Sequence, residues 1–241
     1  MALSVRDCCF AYRRRPPLFS NLDVVFEAGR TVLLGPNGAG KSTLLALCGG
    51  VMKPGGGTIA LNEESRTTSP KYRARVAWLP QTVSVFPGLT VREQVVYYGW
   101  LKGMPVAAAK IRADDALELV RLTSSSSKKA RELSGGQLRR LGIAGALVQN
   151  ADAILLDEPF AGLDPTQRDS LSNILLALPG ETILVVSTHQ IEDLSSLYTR
   201  TVVLDSGTVR FDGTTDKFLQ SGHGAVDPAR VAYASFVGAE E

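Results

Sequence analysis

The sequence predicts an α/β fold: a sheet of mixed, mainly parallel strands, with an antiparallel β part at its N-terminal end and a helical subdomain inserted between its halves. Three observations predict it. After Asn150 short apolar runs alternate with helical stretches, and strands that alternate with helices pair in parallel through crossover connections. A glycine-rich loop joins the apolar run Thr31–Leu34 to a helix. From Thr90 the pattern turns from strands to helical periodicity, then returns to strands at Ala153.

In order along the chain, Leu3–Cys9, Leu22–Phe26 and Thr31–Leu34 read as strands, each ending in turn or loop residues. Thr58–Asn62 and Arg75–Leu79 read as further strands, separated by a polar stretch, Glu63–Arg73, that reads as a surface loop. Thr90 with Glu93 forms a capping box ahead of the helix Val91–Lys102, and Val106–Leu122 continues as a second helix. The run Ser124–Ser127 with Lys128 and Lys129 is low in complexity and reads as a flexible connection. Ala153–Leu156 is a strand, a helix starts at Pro165, Thr182–Val186 is a strand, and a helix starts at Gln190. Strands around Val202 and Val209 turn at Ser206-Gly207. The expected division is a single domain over residues 1–241. Its nucleotide core comprises 1–81 and 151–220, the helical subdomain 82–150, and a C-terminal tail 221–241.

Composition narrows the class. The 241 residues are 44% hydrophobic and 21% charged, as in an ordinary globular protein. A net charge of +2 provides no broad field for nucleic acid, and none is expected as a partner. The basic run Arg13–Arg15 reads as a solvated loop face. Cys8, Cys9 and Cys48 have neither disulfide nor metal spacing, because neighbours on a strand point to opposite faces, so buried thiols in a reducing compartment are expected. No leader-like segment and no run of about eighteen apolar residues is present. The expectation is a cytoplasmic chain; if it serves a membrane, another chain crosses it.

The chemistry is carried first by Gly35-Pro36-Asn37-Gly38-Ala39-Gly40-Lys41-Ser42-Thr43, which fits G-x-x-x-x-G-K-[ST] between a strand and a helix. Glycines let successive N–H groups converge on phosphate oxygens, and the positive end of the following helix favours the same anion. Lys41 would neutralise the β- and γ-phosphates of ATP, and the Ser42 hydroxyl would ligate Mg²⁺. The apolar run Ala153–Leu156 ends in Asp157-Glu158. Two adjacent acids after a buried strand are costly unless they meet a cation. Asp157 would hold the magnesium through its water shell, and Glu158 would polarise the water that attacks the γ-phosphate.

Leu133-Ser134-Gly135-Gly136-Gln137 narrows the reading further. Ser134 with Gln137 is a capping box for the helix Leu138–Gln149, and a capped helix start with two glycines also offers backbone N–H groups to an anion. The pentapeptide resembles the ABC signature. With the loop and the acid pair in order, nearly the whole chain is similar to an ABC ATPase of the P-loop type, the nucleotide-binding subunit of a membrane transporter. The resemblance implies that Tyr12 stacks on adenine, that Gln81 senses Mg²⁺ and links to the helical subdomain, that Ala161-Gly162-Leu163-Asp164 runs across a dimer interface, and that His189 is the switch histidine. Asp164 before Pro165 is also an ordinary helix cap. Two positions depart from the family's pattern: Ala161 stands where Ser is common, and Gly145 where Arg is frequent.

The resemblance further implies a head-to-tail dimer, a homodimer or a heterodimer with a similar ATPase. Each ATP would lie between Lys41 and Ser42 of one subunit and Ser134 and Gly136 of the other. The partner would be a transmembrane permease engaged near Thr82–Trp100, with the chain peripheral on the inner face of the cell membrane. Leu89–Glu93, Tyr97-Tyr98, Trp100–Gly103 and Ser187-Thr188-His189 ahead of Glu192-Asp193 resemble stand-alone exporter ATPases, which implies efflux, with import as the alternative. A soluble ABC ATPase acting on DNA or the ribosome is the rival reading; its zinc modules, long coiled coil or second ATPase domain have no counterpart here.

Overall fold

The computed structural model describes residues 1–65, 67–191, 194 and 197–237. The chain opens with β1 (Ala2–Ala11) and β2 (Pro17–Glu27), both longer than the runs Leu3–Cys9 and Leu22–Phe26 that mark them. Asp7 at φ 49° breaks the register of β1 between Val5 and Cys8. This bulge lets Leu3, Val5, Cys8 and Phe10 share the buried face although their numbers change parity. Cys8 is buried and its neighbour Cys9 half-buried. With β4 (Gly56–Leu61), these strands form an antiparallel sheet in the order β2-β1-β4.

The second sheet is built from β3 (Gly29–Leu34), β5 (Val76–Leu79), β6 (Ala153–Asp157), β7 (Ile183–Thr188), β8 (Arg200–Asp205) and β9 (Thr208–Thr214). Its order is β5-β6-β7-β3-β8-β9, parallel throughout except for β9. Helix α1 (Lys41–Cys48) buries Leu44, Leu45 and Leu47 in the core that also holds Phe19 and Phe26 of the antiparallel sheet and Leu155 of β6. A short helix so nearly buried has little amphipathic contrast, as expected where both sides are covered.

Two loop readings are corrected. Glu63–Arg73 is not loop throughout, because α2 (Pro70–Arg75) begins inside it. Ser69 caps this helix by accepting from the Tyr72 amide, and Pro70 occupies its first turn, where no amide is needed. Tyr72 is the anchor: its ring is fully buried and its hydroxyl donates to the Cys48 carbonyl at 2.6 Å. Tyr72→Phe should therefore lower unfolding free energy by about 1 kcal/mol, the value of one buried hydrogen bond, read as a lower urea midpoint at unchanged slope.

Nor is the serine run a flexible connection. Thr123–Ser125 forms a 3-10 turn with Ser125 buried, and the carbonyls of Ser126 and Lys128 accept from the Arg92 and Val91 amides. Those amides open α3 (Val91–Leu101), whose Thr90–Glu93 capping box is present as expected. The run thus satisfies helix-start donors that have no intrahelical partner. Helices α4 (Val106–Leu119) and α5 (Gly135–Leu147) pack with α3. Helix α6 (Pro165–Leu176) precedes β7; the helix expected from Gln190, with Glu192 and Asp193, lies largely outside the described residues. Two further helices, α7 (Thr215–Gln220) and α8 (Pro228–Phe236), close the chain, with Phe236 packed on Phe211 and Phe218. Among the described residues no helix is long and apolar enough to cross a membrane.

Register places the site. Leu34 of β3 pairs with Thr188 of β7, Asp157 of β6 with Ser187 of β7, and Leu79 of β5 with Leu156 of β6. The loops leaving β3, β5, β6 and β7 therefore emerge together at one end, beyond the carboxyl ends of parallel strands, where such sheets bind ligands.

Candidate functional site

The loop after β3 is shaped by Gly38 (φ 85°) and Gly40 (φ 106°), left-handed positions that a side chain would strain. Gly40 is also the N-cap of α1 and contributes no side-chain bond, so the first amides of the helix have no cap from that side. That leaves them for an anion. Lys41 is 5% exposed, and its Nζ donates to the Gly35 carbonyl at 2.7 Å and the Pro36 carbonyl at 2.9 Å. Burial pulls the ammonium below the usual lysine range, and the carboxylates of Glu158 and Asp157 work the other way. Tyr12, half exposed, shares a 2.8 Å hydrogen bond with the Thr43 hydroxyl and stands edge-on to Phe10.

Asp157 is buried, and Oδ1 accepts from Ser187 Oγ at 2.6 Å. The next residue, Glu158, has φ 47°, a left-handed backbone for a residue with a full side chain. Such a conformation persists only where its surroundings over-determine it. Here the Glu158 amide donates to both the carbonyl and the hydroxyl oxygen of Ser187, each at 3.1 Å. Its carboxylate is held on both sides: Oε1 lies 2.8 Å from His189 Nδ1, and Oε2 accepts from Gln81 Nε2 at 3.3 Å. Gln81, Asp157, Glu158 and His189 thus come together beside Lys41.

Ser134–Gln137 do not join that cluster within the chain. Ser134 caps α5 in a complete capping box, accepting from the Gln137 amide while its own amide donates to Gln137 Oε1 at 3.0 Å. Ser134 and Gly135 are exposed, and among the described residues no hydrogen bond links them to the phosphate loop. Asp164 is likewise an N-cap, its Oδ1 accepting from the Gln167 amide at 2.8 Å with Pro165 next.

Residues 19–161 match the profile of the ABC transporter family, more than half of the chain. The chain belongs to that family. Nod factor export ATP-binding protein I of Burkholderia lata is 37% identical over 206 residues, covering 84% of this chain and 67% of that protein. Thiamine import ATP-binding protein ThiQ of Salmonella choleraesuis is 35% identical over 222 residues, covering 90% and 92%. Among solved structures, an ATP-binding subunit of an ABC transporter superposes with a TM-score of 0.82 at 26% identity over 97% of this chain and all of that one. A dimeric bacterial ABC transporter cassette superposes at 0.79, with 26% identity over 89% and 98%. The relatives thus include both an exporter and an importer subunit, and the direction of transport does not follow from them.

As an ABC ATPase, this subunit binds and hydrolyses ATP. The donors around its phosphate loop suit a hard cation: hydroxyl, carboxylate and amide oxygens, not thiolate or imidazole clusters. Among the described residues no group of three or more His, Cys, Asp or Glu side chains could hold a metal; a hard cation placed here would need phosphate oxygens or water to complete its shell. Of the two departures from the family's pattern, Gly145 has a visible consequence. A β-carbon there would stand 2.5 Å from the Tyr98 ring, which occupies the space. Tyr98 in turn donates to the Ser84 carbonyl and accepts from Gln94, so Gly145 lets an aromatic wall brace the segment after Gln81.

Two residues of the ABC ATPase went unrecognised as site residues in its sequence. Ser187, which the sequence marks only within the exporter-like Ser187-Thr188-His189, bonds both acids. Arg139 belongs to no motif in the sequence, and it lies 6% exposed on the α5 stripe with Gly142, Ile143 and Ala146. A lone arginine on an otherwise apolar helix face was the available signal.

Proposed function

We propose that this subunit holds MgATP between two copies and hydrolyses it to drive transport through a separate membrane permease. The observation that carries the reading is the placement of Glu158. Its carboxylate sits between Gln81 and His189, at the ends of neighbouring parallel strands and beside Lys41. A base so held can take a proton from a water aimed at the γ-phosphate. Tyr12 supports the adenine, Gly35–Thr43 wraps the phosphates, and Lys41 exchanges its carbonyl partners for phosphate oxygens. Ser42 and Asp157, with Gln81, would hold Mg²⁺, which supplies charge neutralisation between the β- and γ-phosphates. His189 orients Glu158 and its water.

Ser134 and Gly135 are exposed, and among the described residues no hydrogen bond ties them to the same chain's loop, which supports their meeting the γ-phosphate of a second copy, with Asp164 at the seam. Residues 82–150 form the helical subdomain of this reading. Its junction with the core carries an apolar groove of about 290 Å³, lined by Trp78, Val83, Phe86, Tyr98, Leu101 and Gly145 among others. We place the permease there, with the ATPase peripheral on the cytoplasmic face. Exposed Leu101 on the groove wall and exposed Trp100 next to it in the chain suit such a contact. The local resemblance to exporter ATPases favours efflux.

Pull-down from solubilised membranes is the test. An integral membrane protein should be recovered; ribosomes or DNA in its place would overturn the transporter reading. Gly145→Arg forces Tyr98 aside and fills the groove, so recovery of the membrane partner should fall at least about tenfold, the result of losing roughly 1.4 kcal/mol of binding. A circular-dichroism spectrum matching the parent would show the loss to be one of docking.

A further inference from the structure

The Arg139 guanidinium has five N–H donors, and the structure supplies five acceptors. Nε donates to the Pro159 carbonyl at 3.1 Å, Nη1 to those of Pro80 and Gln81, and Nη2 to those of Asp157 and Glu158. All five are backbone oxygens, and no carboxylate pairs with the cation among the described residues. Burial pushes the guanidinium below its ordinary value, opposed by the nearby charges of Asp157 and Glu158. A buried charge without an ionic partner is expensive, and it persists where every donor is used and the arrangement has a role.

The five acceptors come from two places that chemistry requires to agree. Pro80 and Gln81 leave β5, while Asp157, Glu158 and Pro159 leave β6 and contain the left-handed turn at Glu158. Ser187 fixes that turn through the Glu158 amide, and Arg139 fixes it through the carbonyls on either side. Arg139 itself rides on α5, five residues after Ser134.

We propose that Arg139 is a positioning residue for hydrolysis: it ties the backbones of Gln81 and Glu158 to α5, so that the seating of Ser134 on a second copy's nucleotide sets the aim of this copy's own Glu158. The inference rests on the reading of Glu158 as the base. When α5 shifts, its start and Arg139 shift together, and both strand-end loops follow through five hydrogen bonds. The two nucleotide sites of a dimer are thereby linked through one side chain in each copy. A displacement of about 1 Å at the base is enough to cost on the order of a hundredfold in rate.

The test compares Arg139→Ala, Arg139→Lys and Glu158→Gln as full-length protein, with ATP turnover, ATP affinity and melting temperature measured for each. Arg139→Ala should lose about a hundredfold in kcat while KM for ATP moves less than about threefold, the split that marks lost positioning in place of lost binding. Arg139→Lys keeps the charge but has only three donors and no planar fork, so about a tenth of the parent rate should return. Guanidinium ion at low millimolar concentration should raise turnover of Arg139→Ala and leave Glu158→Gln unaffected. Parent-like turnover by a folded Arg139→Ala, with Glu158→Gln inactive, overturns the Arg139 proposal alone. Parent-like turnover by Glu158→Gln overturns the base reading beneath it. A weakened ATP affinity that accounts for the whole rate loss, or failure of both Arg139 variants to fold, makes Arg139 structural only and also overturns the proposal.

Discussion

Glu158→Gln is expected to bind ATP as the parent does, hydrolyse it on the order of 10²- to 10³-fold more slowly, and accumulate as an ATP-dependent dimer. The rate loss is the usual contribution of a positioned general base. Binding should survive because the amide is isosteric and the phosphate loop is untouched. The carbonyl oxygen can keep the His189 contact at the 2.8 Å now spanned to Oε1. Removing one negative charge beside Lys41 also relieves repulsion toward the γ-phosphate, which favours the ATP-bound form. Because hydrolysis would end the nucleotide's preference for the closed pair, slowing it should trap that pair. Phosphate release and size-exclusion chromatography with ATP and Mg²⁺ check both halves. Undiminished turnover removes Glu158 from the role of base.

What could be read from the sequence was what is local. The phosphate loop, the acid pair after an apolar strand, and the capping boxes at Thr90 and Ser134 each fall within nine residues or fewer, and the structure has the geometry those spacings imply. Asp164 with Pro165 was equally legible as a cap. Strand order was not, because β3 lies between β7 and β8, and that depends on pairings across the whole chain. Helix α2 escaped because it is held by a single buried ring, Tyr72, in a polar segment, although Ser69-Pro70 announced its start. The serine run looked mobile by composition, but its carbonyls serve a helix that begins more than thirty positions earlier. The role of Arg139 is not legible in the sequence for the same reason: its acceptors are backbone oxygens 18 to 20 and 58 to 59 positions away, and backbone leaves no residue pattern.

Lys41→Ala has the second large effect, and it acts on binding instead of chemistry. In the loop the ammonium is nearly buried, and two of its donors bond the Gly35 and Pro36 carbonyls. Among the described residues its third donor has no partner and is available to a phosphate oxygen. Replacing the side chain removes a charge-assisted bond to phosphate and leaves a polyanion in a site with one less cation. Truncating one member of such a buried pair costs about 2 to 5 kcal/mol, so ATP affinity should fall by roughly 30-fold or more. Stability of the nucleotide-free protein should move by no more than about 1 kcal/mol, because the desolvation of the ammonium offsets much of what its two hydrogen bonds contribute. Calorimetric titration with ATP and a urea melt without it separate the two quantities. An unchanged dissociation constant would mean that the turn from Gly35 to Thr43 does not grip the phosphates, and the pairing of that turn with a second copy's Ser134 would lose its ligand.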